Sequence, residues 1–266
     1  MKNIILEFRK KYEAKEPISV ITCYDYTFAR LFAKTDVHSI LVGDSMGNVI
    51  QGHGSTIPVT LEDIIYHTKA VCKGAPEKTV IADMPFLSYQ TSIEEGIRSA
   101  GKIMKETTAD CVKLEGDSNL VIELTHRLTE MGVPVFAHLG LTPQSVHTLG
   151  GHRVQGKTEE SRKRMIEKSK ELADAGAFGI VLELIPESLG KEITEAISIP
   201  TIGIGAGRYT SGQVLVMQDL LGLNEEFNPK FLKKFANLAK DVNIAVQQYH
   251  EEVTKRTYPG ESNVFS

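Results

Sequence analysis

Acidic side chains follow three short apolar segments of the chain, at the point where each segment gives way to a loop. Asp44 follows the first of these segments, Asp83 the second and Glu115 the third. Three carboxylates that converge repel one another unless a positive charge lies between them. A set of oxygen ligands alone suits a hard cation such as Mg²⁺, which leaves positions open for substrate. The pattern predicts a magnesium site; the alternative is that each carboxylate caps a helix or pairs with a surface lysine.

Lys113 and Glu183 are charged residues inside otherwise apolar segments. Lys113 stands two residues before Glu115, so both side chains lie on one face of a strand. Burying an unpaired lysine is costly, so we expect Lys113 to pair with Glu115 or Asp83 or to bind an anionic substrate. A Schiff-base lysine is a third interpretation. Glu183 is expected to accept a proton, because burial makes a carboxylate a stronger base; a glutamate that bonds a backbone amide or an arginine is the alternative.

Histidines and glycines give weaker signals. His138 ends a further apolar segment and could be a ligand, a substrate contact or a histidine of the core. His53, His147 and His152 lie in glycine-rich loops and lack the spacing of metal ligands. The glycines of segment 203–207 resemble phosphate-binding loops of barrels, but they lack the G-x-G-x-x-G spacing, and close backbone packing explains them equally well.

These residues need a framework that brings the segment ends together. Eight apolar, β-branched segments alternate with helical patterns, as in a parallel sheet covered on both faces. Eight such units predict an α/β fold, a single (β/α)8 TIM barrel, with a doubly wound open sheet as the alternative. The strand ends of a barrel form one ring, where barrel enzymes have their active sites. The predicted strands cover residues 20–24, 39–42, 79–82, 111–114, 134–137, 179–182, 201–204 and 214–217, and the helices between them 26–34, 61–73, 92–105, 120–131, 159–175 and 186–196.

The two ends of the chain add helices to this barrel. Residues 1–17 carry apolar side chains at helical spacing and predict an N-terminal amphipathic helix without the apolar core of a signal peptide. Residues 229–250 predict a last helix, so that 229–266 form a C-terminal helix and tail. Thr60 with Asp63 predicts a capping box, and the long loop 138–158 is a candidate functional loop. We expect one domain over residues 1–266.

Composition limits the classes of partner. The 266 residues carry a net charge of -4, which gives no electrostatic basis for binding nucleic acid or an anionic membrane. No apolar stretch approaches the roughly 20 residues of a transmembrane helix. Three cysteines without C-x-x-C spacing argue against a disulfide framework or a zinc site, and a reducing cytoplasm fits them.

Nine short segments, in order over residues 18 to 220, resemble the ketopantoate hydroxymethyltransferase family. Several of them are specific to that family and are not general features of barrels. The tail with Tyr258, Pro259 and Phe265 is similar as well. The segments are 22–26 (TCYDY), 42–47 (VGDSMG), 57–60 (IPVT), 82–86 (ADMPF), 112–116 (VKLEG), 138–145 (HLGLTPQS), 181–183 (VLE), 202–207 (IGIGAG) and 212–216 (GQVLV).

The resemblance implies a reaction and a set of roles. A one-carbon unit passes from the co-substrate 5,10-methylenetetrahydrofolate to 3-methyl-2-oxobutanoate and gives 2-dehydropantoate, the first committed step of pantothenate synthesis. A Mg²⁺-stabilised enolate of the 2-oxo acid is expected to attack the methylene carbon. The resemblance also implies a large homo-oligomer, with a homodecamer expected. By position, the metal ligands are Asp44, Asp83 and Glu115, the substrate contacts Asp44, Ser45, Asp83, Lys113 and His138, and the proton acceptor Glu183.

Two residues depart from the family pattern, and two other functions stay open. Asp117 stands where the family usually has glycine, and Ser211 where it commonly has aspartate. The first alternative function is a Mg²⁺-dependent lyase or aldolase that acts on another 2-oxo acid. The second is a metal-binding or scaffold barrel without catalytic activity.

Overall fold

Eight parallel strands close into a barrel in which each strand pairs with its neighbour in sequence and β1 pairs with β8. The computed structural model describes residues 2–146, 150–151 and 153–265. The closed barrel confirms the predicted TIM-barrel fold over the open sheet. The strands are β1 Ile18–Thr22, β2 Ser39–Val42, β3 Thr79–Asp83, β4 Cys111–Glu115, β5 Val135–Gly140, β6 Gly179–Glu183, β7 Thr201–Ile204 and β8 Gly212–Leu215.

Helices follow the strands close to the predicted positions, and two short ones after β2 and β8 were not predicted. Two 3₁₀ turns, Pro143–Ser145 and Glu261–Asn263, complete the described elements. The α-helices are α1 Ile4–Glu13, α2 Tyr26–Phe32, α3 Met46–Val49, α4 Leu61–Gly74, α5 Ile93–Glu106, α6 Asn119–Glu130, α7 Glu159–Asp174, α8 Glu187–Ala196, α9 Met217–Leu220 and α10 Leu238–Thr254.

Hydroxyl side chains fix the points where several helices begin. The predicted capping box is present: the Thr60 side chain accepts from Asp63 N, and the Asp63 carboxylate accepts from Thr60 N. Ser92 and Ser118 accept in the same way from the first turns of α5 and α6. Such caps satisfy backbone N–H groups that have no partner within the helix. They therefore fix the residue at which the helix begins, and with it the length of the loop between the strand and the helix.

An apolar cluster fills the end of the barrel at which the strands begin. Phe8 of α1 is fully buried, and its ring packs edge-on against Phe136 and Phe178 at centroid distances of 5.8 and 5.6 Å. Ile18 and Cys111, the first residues of β1 and β4, belong to the same cluster. The N-terminal helix therefore contributes to the barrel core, as its amphipathic pattern predicted, and polar chemistry is left to the opposite end.

Strand β8 begins two residues earlier than predicted. Gly212 and Gln213 interrupt the apolar run, so the sequence pattern placed the strand at 214–217. Gly212 pairs with Ile18 of β1 at very close approach, and an added Cβ would lie 2.1 Å from the Ile18 carbonyl oxygen. This pairing requires glycine. Because glycine adds no apolar side chain, the pattern of apolar residues does not indicate where the strand begins.

The chain divides into two compact units, Met1–Val216 with the barrel and Met217–Ser266. In the second unit α10 begins nine residues later than predicted, because Phe235 N and Leu238 N donate to the carbonyls of Leu220 and Leu221. These hydrogen bonds form in place of the helical hydrogen bonds that were predicted over residues 229–237. No helix in the described part of the chain is both long and apolar enough to cross a membrane. The single domain over 1–266 stays a prediction.

Candidate active site

The polar residues predicted from sequence come together at the end of the barrel where the strands finish. Asp83 and Glu115 are the last residues of β3 and β4, and Asp44 lies two residues beyond β2. Strand register places Asp83 beside Lys113 and Glu115 beside His138. The register of the parallel strands alone thus places the paired residues of β3, β4 and β5 next to one another.

Three carboxylates form the centre of this group. One oxygen each from Asp44, Asp83 and Glu115 lies within 4.8 Å of the others. The three residues are 3%, 1% and 5% exposed, so water screens their repulsion poorly. Asp44 N donates to Asp83 Oδ2 at 3.2 Å, which fixes the position of the second carboxylate relative to the first. The convergence predicted from three successive strand ends is present.

Lys113 pairs with two of these carboxylates. Its Nζ lies 2.8 Å from Asp83 Oδ1 and 3.1 Å from Glu115 Oε1, and the residue is 3% exposed. Burial alone would lower the pKa of Lys113, but Asp83 and Glu115 raise it above its usual value. The pairing interpretation is therefore realised, and a lysine held as an ammonium is unsuited to forming a Schiff base.

His138 lies between Glu115 and Glu183. Its Nδ1 is 3.1 Å from Glu115 Oε1 and its Nε2 is 3.3 Å from Glu183 Oε2. Burial works against a charged imidazole, yet Glu115 raises the pKa of His138 to about 9. Burial likewise opposes ionisation of Glu115, but Lys113 and His138 lower the pKa of Glu115 to about 2. His138 therefore links the carboxylate cluster to Glu183.

The group carries more negative than positive charge. Burial, then the charges of Asp83 and Glu115, raise the pKa of Asp44 well above its usual value, and burial raises that of Asp83 although Lys113 opposes it. When all its acids are ionised and the imidazole is protonated, the group has an excess of two negative charges. A divalent cation held by oxygen ligands fits this excess. The acids are Asp44, Asp83, Glu115 and Glu183, and the cations Lys113 and His138.

A close contact between β5 and β6 positions Glu183. Gly140 pairs with Glu183 with φ at +100°, and an added Cβ would lie 2.1 Å from the Glu183 carbonyl oxygen. Leu141 N donates to that same oxygen at 2.8 Å. The Glu183 side chain keeps 17% of its surface exposed, which is more than any acid of the central cluster. It can therefore meet a substrate that enters from solvent.

Ser45 lies beside Asp44 at the start of α3. Its Oγ is 2.8 Å from the hydroxyl of Tyr24, which is 1% exposed. The Tyr24 carbonyl in turn lies 2.5 Å from His67 Nδ1. The loop after β1 thus holds the Ser45 hydroxyl, an arrangement that the sequence pattern did not reveal.

Gln144 is a further residue of the site, and sequence reasoning missed its role. Its Nε2 donates to Asp44 Oδ2 at 3.0 Å and to the Met84 carbonyl at 2.9 Å, and its backbone N donates to Glu115 Oε2 at 3.2 Å. Its Oε1 accepts from Tyr89 and Gln90 at 2.8 Å each. Every hydrogen-bonding position of this buried amide is used, so its orientation is fixed.

Only its place in segment 138–145 could have drawn attention to Gln144. A glutamine in a loop carries no signal of burial, because its partners lie in distant segments, in the loops just beyond β2 and β3 and at the end of β4. Tyr89 escapes notice for the same reason: its hydroxyl accepts from Glu115 N at 3.1 Å. Both residues form hydrogen bonds with predicted ligands of the cation and help to fix the positions of those ligands.

Other sequence predictions fall outside the cluster. The glycines of 203–207 allow close packing: at Gly207 an added Cβ would lie 2.3 Å from Glu187 Cγ. Asp117 pairs with Arg164, and Ser211 exchanges hydrogen bonds with Thr201. All three cysteines are free and buried. His53 contributes a backbone carbonyl to Asn48 Nδ2, while His147 and His152, within the long loop 138–158, lie outside the described residues.

The charge excess predicts that Mg²⁺ stabilises the protein in a pH-dependent way. Because an acid with a raised pKa destabilises the fold once it is ionised, the metal-free protein loses stability as pH rises above the usual carboxyl range. Metal binding requires ionised ligands, so the rise in Tm on adding Mg²⁺ should be larger at pH 8 than at pH 5.5. At a hundredfold excess over Kd the gain is about 2.7 kcal/mol, or roughly 5–10 °C.

Asp44→Asn should abolish this Mg²⁺ response and leave the metal-free Tm equal to or above that of the wild type. The exposed Asp36→Asn, at the other end of β2, is the matched control and should behave as the wild type. Differential scanning calorimetry with and without Mg²⁺ makes both measurements. An undiminished Mg²⁺ response in Asp44→Asn would contradict the assignment.

Gln144→Met, which keeps the side-chain length and removes the amide, should weaken Mg²⁺ binding by about 10–100-fold, as loss of groups that orient metal ligands typically does. Isothermal titration calorimetry measures this affinity. Gln155→Met is the control in the same loop, since its amide donates to the Arg153 carbonyl instead of to a carboxylate of the cluster. Equal Mg²⁺ affinity in the two variants would show that Gln144 does not orient the cluster.

Comparison with known proteins identifies the family. The model of the family described as ketopantoate hydroxymethyltransferase matches residues 2–261. A 3-methyl-2-oxobutanoate hydroxymethyltransferase of Leptospira biflexa is 76% identical over 100% of this chain and 99% of its own. Relatives of that name from Leptospira interrogans and Thermotoga maritima are 58% and 50% identical, covering 100% and 98% of this chain and 100% and 96% of their own.

Solved structures share the fold at low sequence identity. A 2,3-dimethylmalate lyase of the PEP mutase/isocitrate lyase superfamily has a TM-score of 0.60 at 15% identity, over 100% of this chain and 93% of its own. A phosphonopyruvate hydrolase in complex with oxalate and Mg²⁺ has a TM-score of 0.60 at 10% identity, over 100% and 92%. At such low sequence identity, these similarities show a shared fold alone. The full-length matches decide the identity: this chain is an enzyme that belongs to the ketopantoate hydroxymethyltransferase family.

Proposed function

We propose that this enzyme transfers a one-carbon unit from 5,10-methylenetetrahydrofolate to 3-methyl-2-oxobutanoate and forms 2-dehydropantoate, the first committed step of pantothenate synthesis. The observation that carries the proposal is the buried group of Asp44, Asp83 and Glu115, which lies beside the partly exposed Glu183. The names of the full-length relatives support the acceptor and the hydroxymethyl transfer. Overall, the reaction takes up one water, which supplies the new hydroxyl group.

Mg²⁺ is the cation we propose for the carboxylate cluster. Asp44, Asp83 and Glu115 would hold it, and their oxygen-only set suits a hard ion. The solved phosphonopyruvate hydrolase of the same fold contains Mg²⁺ and oxalate, a dianion with adjacent carboxylates. When bound, such a cation supplies Lewis-acid stabilisation of negative charge that develops on a substrate oxygen.

The protein's own groups orient the 2-oxo acid. Lys113 carries an ammonium beside Asp83. In this position it would offset the negative charge of a substrate carboxylate. The Ser45 hydroxyl, held by Tyr24, is placed to donate to the same substrate. His138 ties Glu183 to Glu115, so the proton acceptor and the substrate-binding groups keep a fixed separation.

Glu183 is the group we propose for proton transfer. It takes the proton from C3 of the 2-oxo acid, and the electrons of that bond form an enolate. The enolate carbon then forms a bond with the methylene carbon, whose two bonds to the folate nitrogens break. The oxygen of the water that is taken up becomes the hydroxyl group on that carbon. The two nitrogens of the released tetrahydrofolate gain one proton from this water and the C3 proton from Glu183. Because Glu183 is more exposed than the acids of the cluster, it can approach C3 while Asp44 and Asp83 stay enclosed.

Glu183→Gln should lower product formation by about 10²–10⁴-fold, the usual loss when a general base is removed. The assay combines 3-methyl-2-oxobutanoate, methylenetetrahydrofolate and Mg²⁺ and detects 2-dehydropantoate; exchange of the C3 proton with deuterated solvent is followed separately by NMR. Glu187→Gln is the matched control and should retain both activities, because this half-buried acid four residues on pairs with Arg208.

The two readouts separate the alternatives. Full activity of Glu183→Gln would place the base elsewhere. Wild-type proton exchange without product would retain enolate formation and reject the folate as donor. Neither activity would return the alternative of a lyase or aldolase that acts on another 2-oxo acid.

Other expectations stay predictions. We propose a homo-oligomer, with the homodecamer as the expected size, a cytoplasmic location, and no nucleic-acid or membrane partner. Exposed apolar side chains on α10 support an assembly, since such surfaces commonly mark protein contacts. They include Val242, Ile244, Val246 and Tyr249, each at least 50% exposed.

A further inference from the structure

A cavity of about 490 Å³ opens between the loop after β2 and the loop after β5. Its volume lies within the range of small-molecule sites. None of the residues that line it belongs to the carboxylate cluster. The described lining residues are Asn48, Gly54, Ser55, Thr56, Pro143, Val146, Gly150 and Gly151.

The walls of this cavity belong to the same two loops that build the site. Asn48 lies one helical turn beyond Ser45. Pro143 immediately precedes Gln144, whose side chain and backbone bond Asp44 and Glu115. The cavity and the proposed substrate site thus share the two loops that contribute Ser45 and Gln144.

Hydrogen bonds hold the wall contributed by the β2 loop. Asn48 Nδ2 donates to the His53 carbonyl at 2.9 Å, and His53 N donates to the Gly47 carbonyl at 2.7 Å. Gly47 has no room for a side chain, because an added Cβ would lie 2.8 Å from Val59 and 3.1 Å from the Ser55 carbonyl. The loop is therefore packed against α3, and the cavity is formed before any ligand arrives.

The lining residues indicate the kind of ligand. Among those described there is no lysine, arginine, histidine, aspartate or glutamate, so none of the described lining residues carries a charge that would compensate a phosphate or a carboxylate. Asn48, Ser55 and Thr56 offer amide and hydroxyl groups, while Pro143 and Val146 offer apolar contact. This mixture suits a flat neutral heterocycle with hydrogen-bonding edges.

We infer that the cavity receives the pterin ring of the one-carbon donor while the 2-oxo acid occupies the carboxylate cluster. The inference rests on the proposed function, because a transfer between two substrates requires that both be held side by side. The neutral pterin ring would then lie in the cavity, and the carboxylate of the 2-oxo acid would lie near Lys113.

Gly54→Phe tests the inference. An added Cβ at Gly54 meets nothing within 4 Å, so there is room for a larger side chain at this lining position of the cavity. The KM for methylenetetrahydrofolate and the Kd for tetrahydrofolate should rise at least about 10-fold, a typical cost of lost pocket contacts. Mg²⁺-dependent exchange of the C3 proton should stay within about twofold of wild type, because the carboxylate cluster is untouched.

Gly101→Phe is the matched control, since an added Cβ there in α5 also meets nothing within 4 Å. It should leave both the folate constants and the exchange unchanged. Gly54→Leu, a smaller change, replaces Gly54→Phe if circular dichroism shows that the latter does not fold.

The outcomes distinguish the inference from the function it rests on. Unchanged folate binding in the folded Gly54 variant, with transfer intact in the wild type, would overturn the cavity assignment alone. Wild-type proton exchange without transfer would overturn the folate donor and the cavity assignment together. Loss of exchange in Gly54→Phe but not in Gly101→Phe would show that the cavity belongs to the 2-oxo acid, which also contradicts the inference.

Discussion

Repulsion among three enclosed carboxylates is the constraint on which the rest of the site depends. Asp44, Asp83 and Glu115 are each at most 5% exposed, and their oxygens come within 4.8 Å. Water cannot screen such charges, so the protein must supply compensation from its own groups or from a bound cation. Lys113 supplies one positive charge, and the divalent metal that we propose would offset the remaining excess.

The barrel meets this constraint by separating its two ends. Phe8, Phe136 and Phe178 fill the end where the strands begin, which gives the fold a core that needs no polar group. The opposite end is then free to hold charges at fixed separations, which strand register sets for Asp83, Lys113 and Glu115. Gln144 completes this arrangement from the β5 loop without adding charge, because its side-chain amide bonds Asp44 and the Met84 carbonyl and its backbone N bonds Glu115. Rigidity at the cluster and access at Glu183 are thus obtained together.

The sequence could predict what depends on local spacing. Alternation along β4 placed Lys113 and Glu115 on one face, and their contact confirms it. The eight apolar segments predicted the closed barrel. The sequence could not predict partners that come from distant segments: Gln144 and Tyr89 are ordinary polar residues until the fold encloses them. The predicted start of β8 was wrong, because Gly212 has no side chain and so does not contribute to the apolar pattern from which strands are predicted.

The most direct test of the central claim is to locate a cation by diffraction. Crystals grown with Mn²⁺ in place of Mg²⁺ and with 3-methyl-2-oxobutanoate would be measured at a wavelength where manganese scatters anomalously. We expect one strong anomalous peak among the carboxylates of Asp44, Asp83 and Glu115, with the 2-oxo acid beside it. A cluster that stays empty at saturating Mn²⁺, or a peak bound elsewhere, would contradict it.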